Sequence, residues 1–424
     1  MAKQLATQMA PPFKLVAHYF IAGSIFYIIA SFMLPFYSHE FGSYFLSPQI
    51  ASLMHLYLLG FIMMTIFGAM YQLVPVVLEI PVFSKDFAYV QFYLFTLGVI
   101  IFSLSLLIPR YSQMLPYGAM LMYISMLIFI ANIFLTYMKI ELWSITAKYI
   151  LASNIFLLIG VSVGFYMAFD IVYGFGADLI RLVTLHISAT IVGYILMTIM
   201  GIGMILLPMF SLSHGFDEKP INIAFYTVIC GLILYIVSIF AKSENMSYIA
   251  VVLIAISILL ALYQMYIIFK GRIRKQNDFW AKNMIASFVS LILSLIVLVI
   301  AIVLNSQILY ILFGFILFFG FFVYFIVGHI YKILPFLVWY QRYSPLVGKI
   351  KVPMLNEMVK ENIADMQFYI TTLGVLVCST AIGFKMGFLF IVGAVIMAFS
   401  TLLVIYNIYY TLVYGLDILK DLKD

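Results

Sequence analysis

The chain has 424 residues, of which 66% are hydrophobic and only 9% are charged, and its mean hydropathy is +1.17. A soluble domain cannot bury that much apolar surface, so an ordinary soluble enzyme is excluded. The net charge is +6, but the sequence has no nucleic-acid-binding motif, so no nucleic-acid partner is expected. Segments of about 20 apolar residues span a bilayer core of roughly 30 Å, and they are helical because lipid offers the backbone no hydrogen-bond partners. The composition therefore predicts an all-α, polytopic membrane protein.

Turn and charge signals divide the chain into about twelve membrane helices joined by short connections. In chain order their predicted bounds are 13–37, 49–78, 86–108, 114–138, 145–174, 179–210, 221–242, 246–270, 278–304, 307–338, 366–384 and 386–414. We expect them to form a single transmembrane domain. The one long connection, 339–365, carries apolar residues at helical spacing opposite charged ones, namely Met354, Leu355, Met358, Val359 and Ile363. This spacing predicts an amphipathic helix lying on the membrane surface.

The cations are distributed unevenly between the two sides of the predicted helices. With the N-terminus inside, 18 of the 22 Lys and Arg residues fall on the inner side. The four on the outer side are Arg110, Arg181, Lys242 and Lys385. Because cationic loops resist translocation, both termini are predicted to be cytoplasmic in a bacterial-type inner (plasma) membrane.

One sixteen-residue stretch occurs three times in related form. It reads GFIMMTIFGAMYQLVP from Gly60, GYILMTIMGIGMILLP from Gly193 and GFFVYFIVGHIYKILP from Gly320, at spacings of 133 and 127 residues. These are the second, sixth and tenth predicted helices, so the repeat unit is four helices: about 13–138, 145–270 and 278–414. An even number of crossings keeps the three copies parallel, and recurring small residues let helices approach closely. We therefore predict a pseudo-threefold assembly with these three helices innermost.

Four of the six histidines lie inside predicted membrane helices, where an ionisable side chain is by default a functional hypothesis. His55 and His186 lie near the outer ends of helices two and six, whereas His18 and His329 lie near the inner ends of helices one and ten. A neutral imidazole in an apolar, aromatic-rich pocket is the axial ligand of a b-type haem. Two layers of histidine suit one or two haems, or a haem with a second metal. Alternatively, each histidine hydrogen-bonds a neighbouring group and packs a helix junction.

Other charged residues near the membrane carry weaker hypotheses. Lys332 follows His329 by one helical turn, and its ammonium either reaches the inner interface or meets a haem propionate. Asp170 and Arg181 flank the loop between helices five and six and are expected to form an ion pair at the outer edge, with ligand binding as the alternative.

The segment MHLYLLGFIMMTIFGAMYQLVP, residues 54–75, resembles the second helix of the haem–copper oxidase catalytic subunit (subunit I), and most closely that of nitric oxide reductase large subunits. There a histidine precedes a Gly-Ala-x-Tyr-x-Leu-Val-Pro ending. The matching residues are His55, Gly68, Ala69, Tyr71, Leu73, Val74 and Pro75. The resemblance implies the twelve-helix, pseudo-threefold architecture of that family and makes His55 an axial haem ligand. It also implies haem b and copper as cofactors, with His186 in the region of the first copper ligand, and a cytochrome or quinol as electron donor.

The sequence departs from that family at two ligand positions. The family has an adjacent histidine pair around helix seven, and residues 221–242 contain no histidine. It has a His-x-His in helix ten, where this chain has only His329, nearer the inner end. The resemblance is therefore that of a degenerate or distant member without a complete binuclear reductase centre.

From these residues we expect a haem-binding, and also copper-binding, membrane protein in respiratory electron transfer, in the response to nitric oxide or oxygen, or in respiratory-complex assembly. The expected metal ligands are His55, His186 and His329, with His18 and Lys332 as further cofactor contacts. Two alternatives stay open. One is a small-solute transporter or channel built from three parallel repeats, and the other is a working terminal oxidase or nitric oxide reductase.

Overall fold

Each of the twelve predicted membrane helices is present in the structure, a computed structural model that describes residues 11–39, 47–141, 143–273 and 275–415. Within those residues, twelve helices are long and apolar enough to cross a membrane. They are α1 (Phe13–Tyr37), α2 (Pro48–Val76), α3 (Lys85–Leu107), α4 (Pro109–Tyr137), α5 (Ile145–Tyr173), α6 (Leu179–Ser211), α7 (Lys219–Ala241), α8 (Glu244–Lys270), α9 (Phe279–Leu304), α10 (Gln307–Arg342), α11 (Glu361–Gly383) and α12 (Gly387–Val413). The protein is thus an all-α, multi-pass integral membrane protein.

The connection between α10 and α11 differs from its prediction. The amphipathic helix expected within 339–365 is not formed, because α10 runs to Arg342 and α11 already begins at Glu361. Between them lie only two short 3-10 turns, Ser344–Leu346 and Leu355–Met358. Pro345 and Pro353 interrupt any helix here. Met358, which was expected on an amphipathic face, is fully buried against Val338 and Tyr343.

The chain divides into two compact units. Unit 1 comprises Met70–Lys275 together with Met1–Pro11, and unit 2 comprises Pro12–Ala69 and Gln276–Asp424. The division falls inside α2, between Ala69 and Met70. Unit 2 therefore holds α1, most of α2 and α9 to α12, whereas unit 1 holds α3 to α8.

The glycines of the repeated stretch mark close helix contacts inside each repeat. A methyl group at the first glycine (Gly60, Gly193 or Gly320) would lie 2.6, 2.6 or 3.0 Å from the side chain of Phe26, Phe156 or Ser290, respectively. At the second glycine (Gly68, Gly201 or Gly328) it would lie 2.8, 2.5 or 2.9 Å from Tyr19, Tyr149 or Asn283. The first helix of each repeat thus packs antiparallel on the second. The two glycines are eight residues apart on the second helix, and their partners are seven residues apart on the first. A larger residue at either glycine would have to push the neighbouring helix away.

A second contact recurs where the third helix of each repeat begins. The first N–H groups of a helix have no partner within it, and an amide from the fourth helix supplies one. The side-chain oxygens of Asn132, Gln264 and Asn407 accept from the backbone N–H of Ser84, Ile221 and Lys360 at 3.0, 3.4 and 2.9 Å. The recurrence of these local contacts supports the four-helix repeat.

The second helix of each repeat is more buried than the other three helices of that repeat. In their most apolar stretches α2, α6 and α10 are 67%, 83% and 67% buried, compared with at most 50% for the other nine described helices. The second helices are thus the most buried of the twelve described spans. That they are innermost depends on how the repeats are arranged, and it stays a prediction. The arrangement of the three repeats about a common axis stays a prediction.

Candidate functional site: the histidines of the membrane helices

The second helix of each repeat contains a π-helical segment at the same place. These segments are Leu56–Met63 in α2, Ser188–Leu196 in α6 and Ile316–Phe322 in α10. In the first, for example, Met64 N–H donates to the Leu59 carbonyl five residues back. π-helical segments are rare and frequently lie at functional sites. Nothing in the sequence pattern indicated these segments, although each one contains the first glycine of the repeated stretch.

Two predicted ligands lie directly before these segments. His55 is the last residue before the π-helical segment of α2, and His186 precedes that of α6 by two residues. Because a π turn holds more residues than an α turn, such a segment changes the direction of the side chains before it relative to those after it. The direction of each imidazole therefore depends on the π-helical segment that follows it.

Three of the histidines each form the same kind of hydrogen bond, from Nδ1 to a backbone carbonyl. The Nδ1 atoms of His55, His186 and His329 lie 2.7, 2.8 and 2.7 Å from the carbonyl oxygens of Ala51, Gly160 and Phe325. Since a carbonyl can only accept, Nδ1–H is the donor, and the neutral ring carries its lone pair on Nε2. A histidine that ligates a metal through Nε2 commonly donates its other N–H in this way.

His329 is surrounded by aromatic rings. Only 5% of the residue is exposed. Its ring centroid is 4.3 Å from that of Phe325 and 6.4 Å from that of Trp280, whose plane is nearly perpendicular to it. These are the apolar, aromatic surroundings that the sequence analysis predicted for a haem ligand.

His186 packs against helix α5 at Gly160 and Gly164, which have no side chains. Its Nδ1–H donates to the Gly160 carbonyl, and a methyl group at Gly164 would lie 2.7 Å from Cε1 of the imidazole. The ring therefore rests on the glycine backbone of α5. This contact fixes the ring direction, and by itself it would also serve to pack α6 on α5.

Replacing Gly164 by alanine is expected to destabilise unit 1, because the new methyl group would push the His186 ring away from the Gly160 carbonyl. The loss of stability depends on the His186 imidazole, so it should disappear in a His186→Ala background. The measurement is the melting temperature in detergent of both single variants and the double variant, as a double-mutant cycle. Equal costs of Gly164→Ala in the two backgrounds would show that the imidazole is not the group displaced.

His18 and His55 lie near opposite ends of the α1–α2 pair. His18 is half-buried and precedes Tyr19, which packs on Gly68. Gly68 is thirteen residues beyond His55 along α2, or roughly 20 Å. This register agrees with an outer and an inner layer of histidines. His39 and His214 are exposed.

Lys332 forms an ion pair with Asp278 of unit 2. The ammonium is 2.8 Å from Oδ2 of Asp278, and the two side chains are 18% and 7% exposed, respectively. Oδ1 of the same carboxylate accepts from the Ala281 N–H and caps α9, while the ring of Phe279 lies 5.0 Å below the ammonium. The Lys332 ammonium, which was expected to reach the inner interface or to meet a haem propionate, is thus paired with Asp278. A propionate would compete with this carboxylate.

The ion pair predicted between Asp170 and Arg181 is wrong. Arg181 pairs instead with Asp178, at 3.0 Å, one turn before it in sequence. Oδ1 of Asp170 accepts the backbone N–H of Ala177. The neighbour within the same turn is available at little entropic cost, and the loop backbone occupies the other carboxylate.

The predicted site residues are divided between the two units. His18, His55, His329 and Lys332 belong to unit 2, and His186 belongs to unit 1. Among the described residues, no three His, Cys, Asp or Glu side chains are grouped so that they could hold a metal ion. Haem and copper binding therefore stay predictions.

No family model matches the chain, and no curated protein matches it. The likeness to haem–copper oxidases rests on the residues of α2 and on the helix plan.

Proposed function

We propose that the protein is a haem-binding integral membrane protein with a scaffold like that of haem–copper oxidase subunit I. The observation that supports this proposal is the shared tautomer of His55, His186 and His329. Three imidazoles in membrane helices donate Nδ1–H to backbone carbonyls and carry the Nε2 lone pair that a haem iron requires.

The residues present fit a b-type haem. Neutral imidazoles are the usual axial ligands, and the bonded Nδ1–H makes each ring more basic and fixes its direction. The rings of Phe325 and Trp280 give His329 the apolar, aromatic surroundings that are typical of a haem ligand. When bound, the haem would supply one-electron transfer between its ferrous and ferric states. His18 would serve the inner layer together with His329, and His55 and His186 the outer one.

The physiological role proposed is respiratory electron transfer, or a response to nitric oxide or oxygen, without a complete binuclear reductase centre. A cytochrome or a quinol would donate the electrons. The protein would lie in a bacterial-type inner membrane. Both termini would be in the cytoplasm, a proposal that the distribution of Lys and Arg supports. Copper, bound with the help of His186, is the second metal that we propose to test.

The test is a dithionite-reduced minus oxidised spectrum of the detergent-purified protein, with metal analysis on the same sample. We expect the α and Soret bands of b-type haem. Alanine variants of His18, His55, His186 and His329 identify the ligands, because loss of a ligand lowers the bound haem. His39→Ala and His214→Ala are matched controls, since both residues are exposed in loops, and their haem content should equal that of the unchanged protein.

Two results would overturn this proposal. A colourless, metal-free protein would exclude haem and favour the small-solute transporter or channel. Copper together with a high-spin haem in one preparation would instead favour a working oxidase or nitric oxide reductase.

A further inference from the structure

The two π-helical segments of unit 2 are joined by one side chain. The Tyr57 hydroxyl, in the segment of α2, donates to the Phe318 carbonyl, in the segment of α10, at 3.1 Å. The two residues are 261 positions apart in the chain. Tyr57 is fully buried, and its ring centroid is 4.7 Å from that of Phe319.

This hydrogen bond supports an unusual backbone. At the end of the π-helical segment of α10, Val323 N–H donates to the Gly320 carbonyl, three residues back. The Phe318 carbonyl lies five residues before Val323 and accepts the Tyr57 hydroxyl. Backbone carbonyls need hydrogen-bond donors within a membrane, and the Tyr57 hydroxyl supplies one to Phe318 inside the π-helical segment of α10.

The Tyr57 ring is held in place by its neighbours. Its centroid lies 6.2 Å from that of Tyr27 and 5.7 Å from that of Phe61, and these two rings stack on each other at 4.2 Å. The ring that carries the hydroxyl is therefore packed against three other aromatic rings, those of Tyr27, Phe61 and Phe319.

His55 lies two residues before Tyr57, at the junction of α-helical and π-helical backbone. A return of this segment to α-helical hydrogen bonding would rotate His55 relative to the rest of α2, because the number of residues per turn differs. The contact that holds the π-helical segment of α2 against that of α10 therefore also determines where the imidazole points.

We propose that Tyr57 is a positioning residue that sets the direction of the His55 imidazole toward a haem iron. This inference rests on the proposed function. Tyr57 does not touch the iron, and it acts through the backbone of the two π-helical segments.

The test compares Tyr57→Phe with Tyr324→Phe in the full-length purified protein. Tyr324 is a matched control because it is also buried in unit 2 and its hydroxyl donates a hydrogen bond of similar length, 2.9 Å, to Thr372. Both variants keep the aromatic ring, so both should fold, which far-UV circular dichroism checks. We expect Tyr57→Phe to retain haem while shifting the α band and the g values of the ferric haem, because these respond to the orientation of the axial imidazole. Tyr324→Phe should match the unchanged protein.

The other possible results distinguish a failure of the proposed role of Tyr57 from a failure of haem binding itself. A coloured protein whose spectra are unchanged by Tyr57→Phe overturns the role of Tyr57 and leaves haem binding intact. Equal shifts in both variants also overturn it, because they would reflect general loosening of unit 2. A colourless unchanged protein overturns the proposed function and this inference together. Incorporation of 2-fluorotyrosine at position 57, which keeps the hydroxyl, should restore the original spectra if Tyr57→Phe shifts them for the stated reason.

Discussion

Replacing Gly118 by alanine is expected to destabilise the protein by about 1–3 kcal/mol, the usual cost of overpacking. The substitution would otherwise be favourable, since alanine is preferred to glycine in a helix interior by roughly 0.5–1 kcal/mol. Here the new methyl group would lie 2.6 Å from the backbone nitrogen of Phe102 and 2.8 Å from its Cα. A backbone atom cannot rotate away as a side chain can, so α3 and α4 would have to separate along their length.

The matched control is Gly314→Ala in α10, where the nearest atoms to a new methyl group belong to the Phe318 ring, at 3.7 and 4.0 Å. This second substitution should leave the melting temperature in detergent unchanged or raise it. Gly118→Ala should thus lower the melting temperature, and Gly314→Ala should not. Melting temperatures that rise equally in both would show that α3 and α4 have more room at their crossing than the structure indicates.

Asp278→Asn is expected to destabilise unit 2 because it leaves the Lys332 ammonium largely buried without its partner charge. Removing one member of a fully buried ion pair costs about 3–5 kcal/mol. The cost here should be below that range, since 18% of the Lys332 side chain is exposed and its ammonium can move toward water. Asparagine caps a helix about as well as aspartate, so the hydrogen bond to Ala281 is retained and the effect isolates the charge.

Two further variants make this prediction decisive. Asp278→Asn combined with Lys332→Met removes both charges and should recover most of the lost stability, measured as melting temperature in detergent. Asp365→Asn breaks the other ion pair of α9, in which Lys282 and Asp365 are also 2.8 Å apart but are 24% and 32% exposed. It should cost less, because exposed pairs contribute little. A loss from Asp365→Asn as large as that from Asp278→Asn would contradict the role of burial.

Much of the candidate site was visible in the sequence, but its hydrogen bonds were not. The sequence singled out His55, His186 and His329 because ionisable residues are rare in membrane helices. It could not show that His186 donates to Gly160, a residue on another helix, or that His329 donates to a carbonyl on its own helix. The tautomer, on which the proposed function depends, follows only from those contacts.

The charged residues show the same limit. Lys332 and Asp278 are 54 positions apart, and nothing local in either segment identifies the other as its partner. The predicted pair of Asp170 and Arg181 was close in sequence and is wrong, since Asp178 lies closer to Arg181 in the same turn. The buried Met358 was assigned to a surface helix because its spacing fits one, whereas the proline-interrupted segment folds back onto the ends of the helices.

By itself, the sequence determined the class of protein, the twelve membrane helices and the glycines at which the helices of each repeat meet. These features depend on the length of apolar segments and on residue size, which are local properties. Only the tertiary structure decided the π-helical segments, the contact of Tyr57 with Phe318 and the partners of the histidines. The reason is physical: in a membrane protein the buried and the lipid-facing sides of a helix are both apolar. Hydrophobic periodicity therefore does not reveal how each helix is rotated, and rotation decides which side chains meet.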